Sequence, residues 1–192
     1  MLKNKISIVI PCRNEVNHIE NLIFSIFESD YPDDLIEVII VDGMSDDGTR
    51  DLLSSILNKK EIKIKVIDNI KKKTPYAFNI GIKASSGDFI LIAGARFILS
   101  KNYLSEAIKT IVSDKKIGCV GGKVIHSFDN KTSEIISRSM SSTFGVGFNN
   151  FRTVTNDKYV DTVTPPFFRK AIFDDLGYFD EQLTRNQDDD FS

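Results

Sequence analysis

The sequence predicts an α/β fold, a doubly wound and mostly parallel sheet flanked by helices. Two observations predict it. Short continuous apolar runs alternate with longer stretches in which apolar residues recur every three or four positions, the patterns of buried strands and of one-faced helices. The first two runs also end in polar clusters. Ile6-Ser7-Ile8-Val9-Ile10-Pro11 leads into Cys12-Arg13-Asn14-Glu15, and Glu37-Val38-Ile39-Ile40-Val41 leads into Asp42-Gly43-Met44-Ser45-Asp46-Asp47-Gly48-Thr49. A helical stretch separates them, so they form a βαβ unit with right-handed crossover. Open sheets of this kind bind ligands at the carboxyl ends of their strands, where the polar clusters lie.

The elements follow in order. A first helix is expected over residues 17–28, with Ile19, Leu22, Ile23, Ile26 and Phe27 on one stripe. Asn17 and Glu20 have the spacing of a capping box. A second helix starts after Asp47-Gly48 and buries Leu52, Leu53, Ile56 and Leu57; residues 62–67 alternate as a third strand. Thr74-Pro75 reads as a cap followed by a first-turn proline, and that helix stops at Gly87. Phe89-Ile90-Leu91-Ile92 is a buried fourth strand, followed by a helix over 102–113 and a strand over 118–124. Residues 131–158 are polar and break the rhythm, reading as helix plus loop. We expect one domain over residues 1–192, with a regular half at 1–125 and a more irregular half at 126–192.

With 192 residues, 41% hydrophobic and 27% charged, the chain can bury a full core. Its net charge of −2 argues against nucleic acid as the main partner. Lys71-Lys72-Lys73 reads equally as an anion contact or as a solvated loop. Cys12 and Cys119 form no CxxC pair and are expected to be reduced, buried thiols. The longest apolar stretch, 89–99, is interrupted by Arg96 and is shorter than the ~20 residues of a membrane span. No signal peptide is recognised, and a soluble domain is expected.

Asp42 directly follows a buried strand, where a carboxylate can accept a hydrogen bond from a ligand's ring N–H. The alternative, a turn or cap residue, suits Asp46 or Asp47 better. Glu15 reads as a ligand-facing acid or as a first-turn acid matching a helix dipole. Arg13 is either a phosphate contact or a surface residue. No GxGxxG follows the first strand and no GxxxxGK[ST] occurs, so neither standard phosphate loop is present.

Further stretches complete a pattern: Ala77-Phe78-Asn79-Ile80-Gly81-Ile82, Ser86-Gly87-Asp88-Phe89-Ile90, Val160-Asp161-Thr162-Val163, Gly177-Tyr178-Phe179-Asp180-Glu181 and Arg185-Asn186-Gln187-Asp188-Asp189-Asp190. Together with the two polar clusters they span nearly the whole chain. The set resembles the family 2 glycosyltransferases, and within them the succinoglycan-type exopolysaccharide enzymes. The resemblance implies a GT-A fold, with a Rossmann-like nucleotide-sugar-binding half at 1–125 and an acceptor half at 126–192 cut short at its C-terminus. It implies that Asp42 holds the uracil of a UDP-sugar, that Pro11, Arg13 and Glu15 line the nucleotide pocket, and that Lys73 lies near the base or phosphates. Asp188 aligns with the family's catalytic base, and Asp189 and Asp190 are candidate acceptor contacts. The implied activity is inverting transfer of a sugar to a lipid-linked or polysaccharide acceptor. The implied location is cytoplasmic, at the inner membrane face through segments outside this chain.

One departure stands out. Relatives end the fourth strand in an acidic Asp-x-Asp motif that holds Mg²⁺ or Mn²⁺ against the diphosphate. This chain has Ala93-Gly94-Ala95-Arg96 there, so no metal ligand is assigned and Arg96 becomes a candidate diphosphate contact. A catalytically degenerate nucleotide-sugar-binding or scaffold module is the rival expectation. A sugar-nucleotide pyrophosphorylase would want a Gly-rich loop after the first strand, and Cys12-Arg13-Asn14 is not one.

Overall fold

The structure is a computed structural model that describes residues 4–57, 63–124, 131, 158–160 and 162–183. Four parallel strands form its centre: β1 (Ile6–Cys12), β2 (Ile36–Asp42), β3 (Lys63–Asp68) and β4 (Phe89–Ile92). Between and after them run α1 (Ile19–Phe27), α2 (Thr49–Ile56), α3 (Thr74–Ala84) and α4 (Tyr103–Ser113). Two short strands, β5 (Cys119–Val120) and β6 (Phe167–Arg169), and α5 (Ile172–Leu176) follow, and a 3-10 turn (Asp33–Leu35) leads into β2. The sheet order is β3-β2-β1-β4-β6-β5. The direction of winding reverses between β1 and β4, which leaves a crevice at their carboxyl ends.

Both faces of the sheet are buried, and the alternation of side chains along each strand sorts them. Ile6, Ile8 and Ile10 of β1 face α1, α2 and α4, together with Val38, Leu53, Leu91 and Leu104. Val9, Ile39, Val41 and Ile90 face α3 and α5, where Phe168, Phe173 and Phe179 close the second core. Helix α3 lies directly on β1, and a Cβ on Gly81 would collide with the Val9 side chain. Only glycine permits that approach.

The predicted strands and helices fall close to their expected places, with three corrections. Asn17 and Glu20 form no capping box: α1 begins at Ile19, and the Glu15 carbonyl takes both the His18 and Ile19 N–H groups at 2.9 Å. Helix α3 does start at Thr74, but Lys73 occupies the cap position and Thr74 is already helical. The expected strand at 118–124 is only two residues long and does not pair with β4. An antiparallel strand from much later in the chain, β6, lies between them: Leu91 pairs with Phe167 and Phe167 with Val120. The expected helix and loop at 131–158 lie outside the described residues apart from Lys131 and Lys158. Cys12 is buried and Cys119 half-buried, and both are free thiols.

At the opposite, amino end of the sheet, Glu37 fastens three strands. It accepts from Ser7 Oγ, from Ser86 N at 2.5 Å and from Ser86 Oγ at 2.8 Å, with Lys5 Nζ at 3.5 Å. Burial alone would raise its pKa, but these donors and Lys5 outweigh it and hold the carboxyl below its usual value. A lowered folded pKa contributes stability that is present above the unfolded value of about 4.3 and lost as pH falls through the folded value. Accordingly, the difference in urea midpoint between wild type and Glu37→Gln should narrow as pH drops from about 5 to about 3. A difference that stayed constant across that range would deny these bonds a pH-dependent role.

Candidate functional site

At the carboxyl end of the sheet two loops are laced together by side chains that the polar clusters supply. Asn14 adopts a left-handed conformation at φ 56° and exchanges two hydrogen bonds with Asp46, at 2.9 and 3.0 Å. Asn14 N donates to Ser45 Oγ at 2.8 Å, Glu15 N to Thr49 Oγ1 at 3.0 Å and Val16 N to Asp47 Oδ2 at 3.1 Å. Asp47 Oδ1 also takes Thr49 N at 3.0 Å, so it serves the start of α2, as its type suggests. Short polar residues bond neighbouring backbone readily, and these bonds fix the edge of the crevice.

Asp42 anchors this lacing from below. Its carboxylate is fully buried and accepts from Ser45 N at 3.0 Å and Ser45 Oγ at 2.5 Å, with Arg50 Nη1 at 3.3 Å. Arg50 also donates to Asp68 Oδ1 at 2.7 Å and ties the ends of β2 and β3 together. The sequence expects Asp42 to face a ligand; the structure places it beneath the loop, with its charge already matched. A buried carboxylate needs such partners to remain ionised. Cys12 lies close by, and burial, with Asp42 and Glu15 adding, pushes its thiol up to about 12. It stays protonated and unreactive.

Above this base opens a cavity of about 850 Å³. Pro11, Arg13 and Glu15 line it from the end of β1, Asn69, Lys72 and Lys73 from the β3–α3 connection, and Gly94 and Arg96 from the end of β4. Five of the six expected nucleotide-pocket residues thus share one cavity, and Asp42 lies under it. Lys71 is exposed and not part of the wall. The far wall brings in Tyr103, whose hydroxyl donates to the Pro165 carbonyl at 2.8 Å, and Lys123. Asp161, Asp188, Asp189 and Asp190 lie outside the described residues.

Two features of the wall were not legible in the sequence. Asn69 is 2% exposed, and its N–H donates to the Asp42 carbonyl at 2.7 Å. Its side-chain Nδ2 donates to the Lys73 carbonyl at 2.8 Å, which fixes the amide orientation, because the reverse would set two oxygens against each other. Its Oδ1 then has no hydrogen-bond partner among the described residues. An asparagine after a strand reads as an ordinary turn residue, so no sequence signal separated it. The second feature is an ion pair across the crevice: Arg96 Nε donates to Glu15 Oε1 and Oε2 at 3.1 and 2.9 Å. Asn79 has a different task. Outside the cavity lining, it is buried and brackets Phe179 with two hydrogen bonds of 2.9 and 3.0 Å, joining two of the sequence motifs.

The described residues of the wall do not fit a divalent metal. Magnesium, manganese and calcium take oxygen ligands, and no group of three His, Cys, Asp or Glu side chains that could hold an ion occurs among the described residues. Glu15 is the one carboxylate in the described wall, and both of its oxygens are engaged by Arg96. The basic lining of the cavity can take an anion.

Comparison with known proteins agrees with this geometry. A protein from Methanococcus voltae, a dolichyl N-acetyl-alpha-D-glucosaminyl phosphate 3-beta-D-2,3-diacetamido-2,3-dideoxy-beta-D-glucuronosyltransferase, is 33% identical over 195 residues, which cover 98% of this chain and 60% of that protein. The poly(ribitol-phosphate) beta-N-acetylglucosaminyltransferase TarS of Staphylococcus aureus, solved with UDP-GlcNAc, superposes with a TM-score of 0.76 at 23% identity, over 97% of this chain and 52% of that one. A mannosyltransferase from Pyrobaculum calidifontis, solved with GDP-Man and Mn²⁺, gives 0.73 at 20% identity, over 97% and 50%. Both superpositions show the GT-A fold. The chain spans 60% or less of the length of these relatives. The profile of glycosyl transferase family 2 matches residues 7–177, and the chain belongs to that family.

Proposed function

We propose that this chain carries the donor site of an inverting glycosyltransferase that moves a sugar from a UDP-sugar to a lipid-linked or polysaccharide acceptor in exopolysaccharide or cell-surface glycan synthesis. The observation that carries the reading is the crevice at the carboxyl ends of β1 and β4, which Arg13, Lys72, Lys73, Arg96 and Lys123 line with positive charge. Clustered cations at such a crevice suit the diphosphate of a nucleotide-sugar. Asp42 supports this wall from below: its carbonyl holds the Asn69 backbone and its carboxylate holds the Ser45 loop. Arg13, Lys73 and Arg96 then lie where a diphosphate would extend.

In this reading the acceptor oxygen forms a bond to the anomeric carbon while the bond from that carbon to the β-phosphate oxygen breaks. The electron pair leaves with UDP, and the acceptor proton goes to the Asp188 carboxylate. Asp189 and Asp190 stand beside it as acceptor contacts. The UDP-GlcNAc complex of TarS and the dolichyl phosphate in the Methanococcus enzyme's name support a UDP-sugar donor and a lipid-linked acceptor. The motif set supports the succinoglycan-type subgroup. The proposed place of action is the cytoplasm, at the inner face of a membrane; no helix among the described residues is long and apolar enough to cross one.

Calorimetric titration tests the donor site. UDP should bind, and Lys73→Ala should weaken it by about tenfold, the worth of one charge-assisted hydrogen bond. Failure of UDP to bind, or a Lys73→Ala protein that binds UDP as wild type does, would remove the basis of the reading.

A further inference from the structure

We infer that this donor site works without a divalent metal: Arg96, held ready by Glu15, takes the diphosphate charge that an ion would otherwise neutralise. The inference rests on the nucleotide-sugar reading above and specifies how its anionic end is held.

Charge points the same way as the ligand count. Among the described residues five basic side chains, Arg13, Lys72, Lys73, Arg96 and Lys123, line the cavity against one acid, Glu15. That balance repels a divalent cation and attracts a diphosphate, and a crevice with low-dielectric walls strengthens both effects. The position of Arg96 matters as much as its sign. It stands just beyond the carboxyl end of β4, across the crevice from Arg13 and Glu15 at the end of β1, so its guanidinium is placed over the opening by an ion pair that spans both sides. Its side chain is 72% exposed. A ligand therefore meets it without displacing packed core.

Guanidinium suits the task. Its planar fork of donors matches two phosphate oxygens at once, it is charged at every physiological pH, and such charge-assisted bonds are the stronger kind. As the bond from the anomeric carbon to the β-phosphate oxygen breaks, negative charge grows on UDP, and a fixed cation there stabilises the transition state more than the ground state. Glu15 keeps the guanidinium in place before the donor arrives and yields it to the stronger anion afterwards.

Sterics do not explain the absence of a carboxylate on β4. A Cβ on Gly94 would meet only the Phe97 ring, at 3.5 and 3.6 Å, which is ordinary contact. A side chain can start at position 94 without a clash at Cβ, so the cationic arrangement can be tested in reverse.

The experiment is titration of UDP and of UMP into the 192-residue chain, with EDTA and with Mn²⁺. UDP should bind equally in both, within about twofold, and Arg96→Ala should weaken UDP by about tenfold or more while UMP stays within about twofold, since UMP lacks the phosphate that Arg96 meets. UMP binding also reports that the variant is folded. Gly94→Asp combined with Arg96→Asp should make UDP binding depend on Mn²⁺. UDP binding by the wild type that strengthens about tenfold with Mn²⁺ would overturn the inference and leave the nucleotide reading standing, as would equal loss of UDP and UMP in Arg96→Ala. No binding of either nucleotide in either condition would overturn both.

Discussion

An Asp188→Asn protein is expected to transfer sugar about a hundredfold or more slowly than wild type while binding UDP with unchanged affinity. Asparagine keeps the size and most of the hydrogen-bonding shape of aspartate and removes only the ability to take a proton. The acceptor hydroxyl is a poor nucleophile until that proton leaves, and a positioned carboxylate supplies about 10² to 10⁴ of rate in such steps. The proposed donor contacts, Arg13, Lys73 and Arg96, belong to other segments, so binding and chemistry should separate. Asp189→Asn and Asp190→Asn are the comparisons: as acceptor contacts they are expected to raise the acceptor KM more than they lower kcat. A larger loss of kcat at Asp189 or Asp190 than at Asp188 would move the base to that position. The pH–rate profile adds a second reading: wild type should lose activity on the acid side as the base is protonated, and Asp188→Asn should lose that limb.

Phe167→Ala should produce the largest loss of stability among the described residues named here, about 3 to 5 kcal/mol, from the burial of a whole aromatic ring and the cavity it would leave. Phe167 is fully buried and stacks on Phe89 with ring centroids 5.6 Å apart and planes 8° from parallel. It stands on β6 opposite Leu91 of β4 and Val120 of β5, so its ring joins three strands. The neighbouring Pro166 carbonyl accepts from Ile92 N at 3.0 Å, next to the segment that carries Gly94 and Arg96. For a chain of this size the loss corresponds to roughly 10 °C in melting temperature. Leu176→Ala is the comparison, since Leu176 is 70% exposed and its removal should cost within about 0.5 kcal/mol. Equal melting of the two variants would contradict the placement of β6 in the sheet.

Much of the architecture was legible because its causes are local. Ile8 to Ile10 and Phe89 to Ile92 are continuous apolar runs, and such runs fit strands covered on both faces. The stripe of Ile19, Leu22, Ile23 and Ile26 specifies a helix and also which of its faces is buried. The edge of the sheet was another matter. Phe167-Phe168-Arg169 is three residues long and lies far from its partners in sequence, so neither length nor period distinguished it from a loop. Once paired, its alternation becomes plain: Phe167 enters one core and Phe168 the other.

The candidate site divides along the same line. By itself the sequence determined the fold class, the end of the sheet where the site lies, and the residue types gathered there, because strand period, helix stripe and polar strand ends are written in consecutive residues. Only the tertiary structure decided what those residues do to one another. It buried Asp42 under Ser45 and Arg50, tied Asn69 to the Asp42 and Lys73 carbonyls, paired Glu15 with Arg96 across the crevice, and joined Asn79 to Phe179. Each of these depends on a distance between segments brought together by sheet order, and charge, burial and hydrogen bonding act through that distance rather than along the chain.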